Sequence, residues 1–154
     1  MGPTDDAALE LVRQLKVNAQ LQQAWTTHLW QAQNGLHPAS AWLLAELAQL
    51  GESRPSELAK RRMVDVSVVS RQVAQLTAAG LIERRPAPED GRAALIRVSE
   101  RGEQELVRWR RQYTDFLTDA LSGWDPGELD ALTERLKAAN ESLRTTLDRR
   151  SGPR

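Results

Sequence analysis

Hydrophobic residues recur at helical spacing over most of this chain, and one short stretch past its middle breaks the period. From Asp6 to about Asn34, Leu9, Val12, Leu15 and Ala19, then Leu21, Trp25, Leu29 and Ala32, fall three or four apart, and Gly35 closes the run. The pattern predicts a helix that is long for a small domain. After His37-Pro38, the segment Ala39 to Leu50 carries Trp42, Leu43, Leu47 and Leu50 and ends at Gly51. Two short helices are predicted next. Pro55 stands at or near the first helical position before a body of Ser56 to Arg61; the second begins after Asp65, a good N-cap, and stops at Gly80.

The period then changes. Leu81 to Arg85 and Ala94 to Val98 are β-prone runs joined by Pro86-Ala87-Pro88-Glu89-Asp90-Gly91-Arg92, which reads as a hairpin with a long tip. Ser99 can cap a further helix whose Leu106, Trp109, Tyr113, Phe116, Leu117 and Ala120 keep one face. The last helix has the fullest set of start signals: Asp125 as N-cap, Pro126 first, Glu128 third, and Trp124 placed to pack on Leu129. Its stripe is Leu129, Leu132, Leu136, Ala139 and Leu143, with fraying expected from Arg149 and a disordered tail at residues 151–154. The expected fold class is mainly α with one small β-hairpin.

Composition narrows the function. The 154 residues suit one domain with helical extensions, and the absence of cysteine excludes disulfides, thiol sensing and thiolate metal sites, in keeping with a reducing compartment. The polar, acidic start from Met1 to Asp6 is unlike a secretory signal, and no window nears the roughly 18 apolar residues that span a bilayer. A soluble, cytoplasmic protein without a membrane role is expected. The formal net charge of zero hides a split. Between Arg54 and Arg97, nine basic residues (Arg54, Lys60, Arg61, Arg62, Arg71, Arg84, Arg85, Arg92, Arg97) face five acidic ones (Glu57, Asp65, Glu83, Glu89, Asp90), a local +4 that the rest of the chain cancels. A DNA-facing module on acidic supports has this pattern, and so does a solvated charged face.

The two short helices, joined through Arg62-Met63-Val64-Asp65, form a helix-turn-helix candidate. At about 100° per residue, Val66, Val69, Val73 and Leu76 gather on one side of the second helix, with Ser67, Arg71, Ala74, Gln75 and Ala78 opposite. Small and polar side chains with one arginine suit a major groove, though any amphipathic surface helix can look the same. The hairpin favours the DNA reading. A helix stopped by Gly80 that runs into a strand, a basic loop and a returning strand is a wing, and Arg92 is its natural minor-groove residue beside the basic flanks Arg84 and Arg85. Asp90 suits a brace within that loop.

Taken together, Ser56-Glu57-Leu58-Ala59, Val64-Asp65-Val66-Ser67-Val68-Val69-Ser70-Arg71, Leu76, Gly80-Leu81-Ile82-Glu83-Arg84 and Pro88-Glu89-Asp90-Gly91-Arg92 resemble the MarR family of bacterial transcriptional regulators. The likeness is close from Pro38 to Gly102 and concerns layout alone at the two ends. It implies a winged helix-turn-helix over residues 37–99 and a dimerisation region built from residues 1–36 and 100–150. It also implies that Ser67, Ser70 and Arg71 meet the major groove, that Arg92 enters the minor groove, and that Asp90 supports the wing; Val68 and Gln75, on the same helix, are further expected DNA contacts. In such regulators an effector pocket lies where the first helix meets the DNA-binding module. Here Trp30 and Trp42 flank that corner, where core packing and stacking on a small aromatic ligand are both open readings.

Leftover amphipathic surface at both chain ends calls for a second copy independently of the resemblance. A twofold dimer would present two recognition helices about 34 Å apart, so the expected partner is double-stranded DNA bearing an inverted repeat. His28 and His37 do not make a metal site, no nucleophile or phosphate loop is present, and no catalysis or cofactor is expected. The expected function is a ligand-responsive, homodimeric repressor. The alternative is a winged-helix scaffold that acts through protein contacts without specific DNA binding.

Overall fold

The computed structural model describes residues 2–87 and 94–152, which form six helical segments and a two-stranded antiparallel hairpin. The chain divides into two compact units, Met1–Tyr113 and Thr114–Arg154. In the first unit, α1 (Asp5–Thr26) starts at Thr4, whose hydroxyl accepts from the Ala7 amide at 3.3 Å. It continues through a π-helical turn, Thr27–Gln31, into the short α2 (Ala32–Asn34), and Gly35 ends the run at φ 65°.

The wide turn departs from the uninterrupted helix expected for this stretch, and burial supplies the reason. Trp25 and Trp30, five residues apart, are both buried, and an ordinary α-helix would turn one of them away from the core. Thr26 and Thr27 each donate a hydroxyl hydrogen bond to the carbonyl four residues back, at 2.8 Å, and so cover backbone acceptors just before the widened turn.

α3 (Pro38–Leu50) carries Pro38 at its first position, and His37 caps it by accepting the Ala39 amide on Nδ1 at 3.1 Å. Its Leu43, Leu44 and Leu47 form the floor of the core. α4 (Pro55–Arg62) likewise opens on a proline, and the Glu57 carboxylate accepts from the Arg54 amide at 3.3 Å. It closes on Met63 in the left-handed region (φ 55°), with Val64 N–H donating to the Ala59 carbonyl at 3.1 Å.

α5 (Val66–Ala78) buries Val69, Val73 and Leu76. Val66, expected on that inner face, is exposed: it is the first residue of the helix and projects past the edge of the core. At the other end, Gly80 N–H donates to Thr77 and Leu81 N–H to Leu76, and Leu76 and Leu81 join the same core cluster. That closing arrangement takes Leu81 out of the first strand, which is β1 (Ile82–Pro86), paired with β2 (Ala94–Val98) from Ile82 opposite Val98 to Pro86 opposite Ala94. A third element joins this sheet. Ser53 exchanges two backbone hydrogen bonds with Ile96, at 3.0 and 2.9 Å, tying the segment between α3 and α4 to β2.

α6 (Glu100–Ala120) is docked by Ser99, whose hydroxyl donates to the Gly80 carbonyl at 2.6 Å and accepts from the Gly102 amide at 3.0 Å. Leu106 and Trp109 then complete the core. In the second unit, α7 (Pro126–Ser151) begins with the expected capping box: Asp125 accepts from Gly127 and Glu128 from Asp125, both at 2.8 Å. Trp124 and Leu129 line one cleft of about 460 Å³ together with Leu117 and Leu121. α7 runs on to Ser151, beyond Arg149 where fraying was expected, and buries none of its described residues.

Candidate DNA-binding surface

α5 divides its two faces in the way a groove-reading helix requires. Val69, Val73 and Leu76 are spent on the core, whereas Ser67, Val68, Ser70, Arg71 and Gln75 are all exposed. The structure therefore brings the five α5 positions singled out from the sequence onto one accessible surface. Asp65 sits at the start of this helix. Its carboxylate accepts the Ser67 amide at 2.9 Å, and that backbone hydrogen bond, followed by the Ser67 hydroxyl, holds its carboxyl below the ordinary aspartate range. The cap fixes the first turn that carries Ser67 and Val68.

Several of the arginines counted as local positive charge are committed to acids. Arg61 and Arg62, at the end of α4, reach the two oxygens of Glu46 on α3 at 3.1 and 3.0 Å. Arg97 on β2 pairs with Glu83 across the hairpin at 2.8 Å. Arg85 presents two nitrogens to Glu52: Nε donates to Oε2 at 2.6 Å and Nη2 donates to Oε1. Glu52 lies below its ordinary pKa, first because of the Arg85 hydrogen bond, and Arg85 is correspondingly raised by Glu52. Arg84, one residue earlier, is exposed on the opposite side of the pleat. Asp90 and Arg92 lie outside the described residues.

Glu46 and Glu52 are the residues that sequence reasoning missed. Both stand N-terminal to the window in which charge was counted, and their partners are 16 and 33 residues further on, so no local spacing reveals them. Ser53 was missed for a similar reason, since a single bridging residue has no periodicity.

Trp30 and Trp42 have different surroundings. Trp30 is fully buried, donates its indole N–H to the Ser40 hydroxyl at 2.9 Å, and lies edge-on to Trp109 with centroids 6.0 Å apart. Trp42 is partly exposed and edge-on to Trp109 at 4.9 Å. It lines an open cleft of about 230 Å³ with Gln22, Gln23, His37 and Arg62, and Trp30 is not part of that lining. Tyr113, packed edge-on to Trp25, has its hydroxyl pKa raised by burial. Among the described residues, no cluster of His, Asp or Glu could hold a metal ion and no helix is long and apolar enough to cross a membrane.

Known proteins resemble this chain in sequence and fold. A family model described as "MarR family" matches residues 34–93. The HTH-type transcriptional regulator YxaD of Bacillus subtilis is 33% identical over 108 residues, covering 70% of this chain and 76% of that protein. The HTH-type transcriptional repressor IacR of Pseudomonas putida is 27% identical over 104 residues, covering 68% of this chain and 60% of that protein. Among solved structures, a point mutant of Escherichia coli MarR complexed with operator DNA superimposes with a TM-score of 0.72 at 19% identity, over 90% of this chain and 99% of that one.

Proposed function

Because the chain belongs to the MarR family of DNA-binding transcriptional regulators, we propose that it is a homodimeric repressor that reads an inverted-repeat operator with α5. The observation that carries this docking is the division of α5: an inner face used by the core and an outer face of Ser67, Val68, Ser70, Arg71 and Gln75. A major groove about 12 Å wide admits such a helix, and its small side chains let Arg71 reach a base edge. Arg84, and Arg92 from its position in the sequence, supply positive charge for the adjacent phosphates and minor groove, with Asp90 as support.

Apolar residues on α1 and α7 support the dimer. Leu9, Leu11, Val12, Leu15 and Leu21 on α1 are exposed, as are Leu129, Leu132, Leu136, Leu143 and Leu147 on α7. Residues 1–36 and 100–150 form the dimerisation region in this reading, and residues 37–99 the DNA-binding module. Repression follows from occlusion of a promoter, and the naming of IacR as a repressor agrees with it. A small aromatic effector has a place to stack at Trp42, in the cleft with Gln22 and Arg62. The reading places the protein in the cytoplasm with its DNA.

Mobility shift with a duplex from the promoter of its own gene tests the docking. Arg71→Ala should weaken operator binding on the order of tenfold or more and relax the preference over random DNA. Footprinting should show two protected half-sites about one helical turn apart. An unprotected promoter and an Arg71→Ala variant that binds like the parent would favour the protein-scaffold alternative.

A further inference from the structure

The hairpin carries a balanced set of charges on its outer side, and one member comes from outside the hairpin. The register sets Glu83 opposite Arg97 and Arg85 opposite Leu95, so these residues share one face. The bridge between Ser53 and Ile96 brings Glu52 alongside, and Glu52 engages Arg85 rather than the nearer-in-register Arg97. Arg97 is occupied by Glu83 at 2.8 Å. Two carboxylates thus hold two guanidinium groups along the strands of the hairpin.

The geometry of the Glu52 contact matters more than its contribution to stability, which is small for an exposed pair. Both carboxylate oxygens meet two nitrogens of one guanidinium, the fork arrangement by which arginine also grips two oxygens of a phosphate. The Nε–Nη2 edge of Arg85 is therefore occupied by Glu52, and the arginine's charge is offset where it would meet a phosphate. We propose that Glu52 is a specificity-determining residue: it holds Arg85 off the phosphate backbone, so that this arginine adds no indiscriminate affinity to that of Arg84 and Arg92 and operator choice rests more heavily on α5.

The proposal rests on the docking of α5 and the hairpin on a duplex, and it is tested by salt-dependent binding of the full-length protein to operator and random duplexes. Glu52→Gln should bind random DNA several-fold more tightly at low salt, and its log–log salt slope should steepen by about 0.9, the value of one added phosphate contact. Glu52→Asp keeps the charge but shortens the reach, and should steepen the slope in the same way. Glu52→Gln combined with Arg85→Gln should return to the parent slope, because the arginine that was released is gone. A parent-like slope in Glu52→Gln, or a steepened slope that survives in the double variant, overturns the proposal. Arg71→Ala run alongside separates the two ideas. Weakened operator binding there with silent Glu52 variants rejects this inference alone, whereas unchanged operator binding rejects the docking as well.

Discussion

Gly102 shows how much one residue can carry at the junction between the hairpin and α6. A Cβ built there would lie 2.2 Å from the Leu81 carbonyl oxygen, backbone that cannot step aside, and 2.7 Å from the Val98 side-chain Cγ1. The same glycine donates its amide to Ser99, whose hydroxyl in turn holds the Gly80 carbonyl, so α6 starts directly against the end of α5 and the start of β1. Gly102→Ala should cost about 1–3 kcal/mol of unfolding free energy by denaturant titration, as overpacking does. Gly123→Ala, which meets nothing within 4 Å, should change stability by less than about 0.5 kcal/mol. In the sequence Gly102 looks like a weak residue in a helical stretch. Its role depends on Leu81 and Val98, and their approach is a property of the packed fold.

At the scale of elements, local chemistry decides most of α5. Asp65 caps its start, and Gly80 at φ 78° closes its end with Leu81 folded back on Leu76. The depressed carboxyl of Asp65 gives the cap a pH signature. A group whose pKa is lower folded than unfolded contributes in full above its ordinary value, about 3.9, and loses that contribution as pH falls through its folded value. Asp65→Ala should therefore lower Tm at pH 7, and the gap to the parent should shrink in thermal melts taken well below pH 4. Asp65→Asn keeps a capping acceptor without the titrating charge, so it should melt above the alanine variant at pH 7. The extended runs apart from Leu81, the caps, and the inner stripe of α5 apart from Val66 were legible because each depends on neighbours within a few residues. The π-helical turn at Thr27–Gln31 was not, because it answers to the simultaneous burial of Trp25 and Trp30.

For the whole molecule, the proposed dimer rests on the exposed apolar residues of α1 and α7. A helix that exposes Leu129, Leu132, Leu136 and Leu143 along its length, each at 40% or more, has surface suited to self-association. Leu136→Glu should convert dimer to monomer in sedimentation velocity and reduce operator affinity at least tenfold, since two half-sites would no longer be bound by one linked pair. A dimeric Leu136→Glu protein with parent-like operator affinity would count against a dimer built on α7. By itself the sequence determined the helical segments, the hairpin, the capping devices and the polar outer face of α5, since periodicity and end signals are local properties of the chain. Tertiary structure alone decided where the charges go. Glu46 meets Arg61 and Arg62, Glu52 meets Arg85, and Ser53 joins Ile96, all through contacts between residues distant in the chain. A count of basic residues registers charge but not partners, so the local excess overstates the uncommitted positive charge, and the proposed docking assigns the base contact to Arg71, exposed on α5.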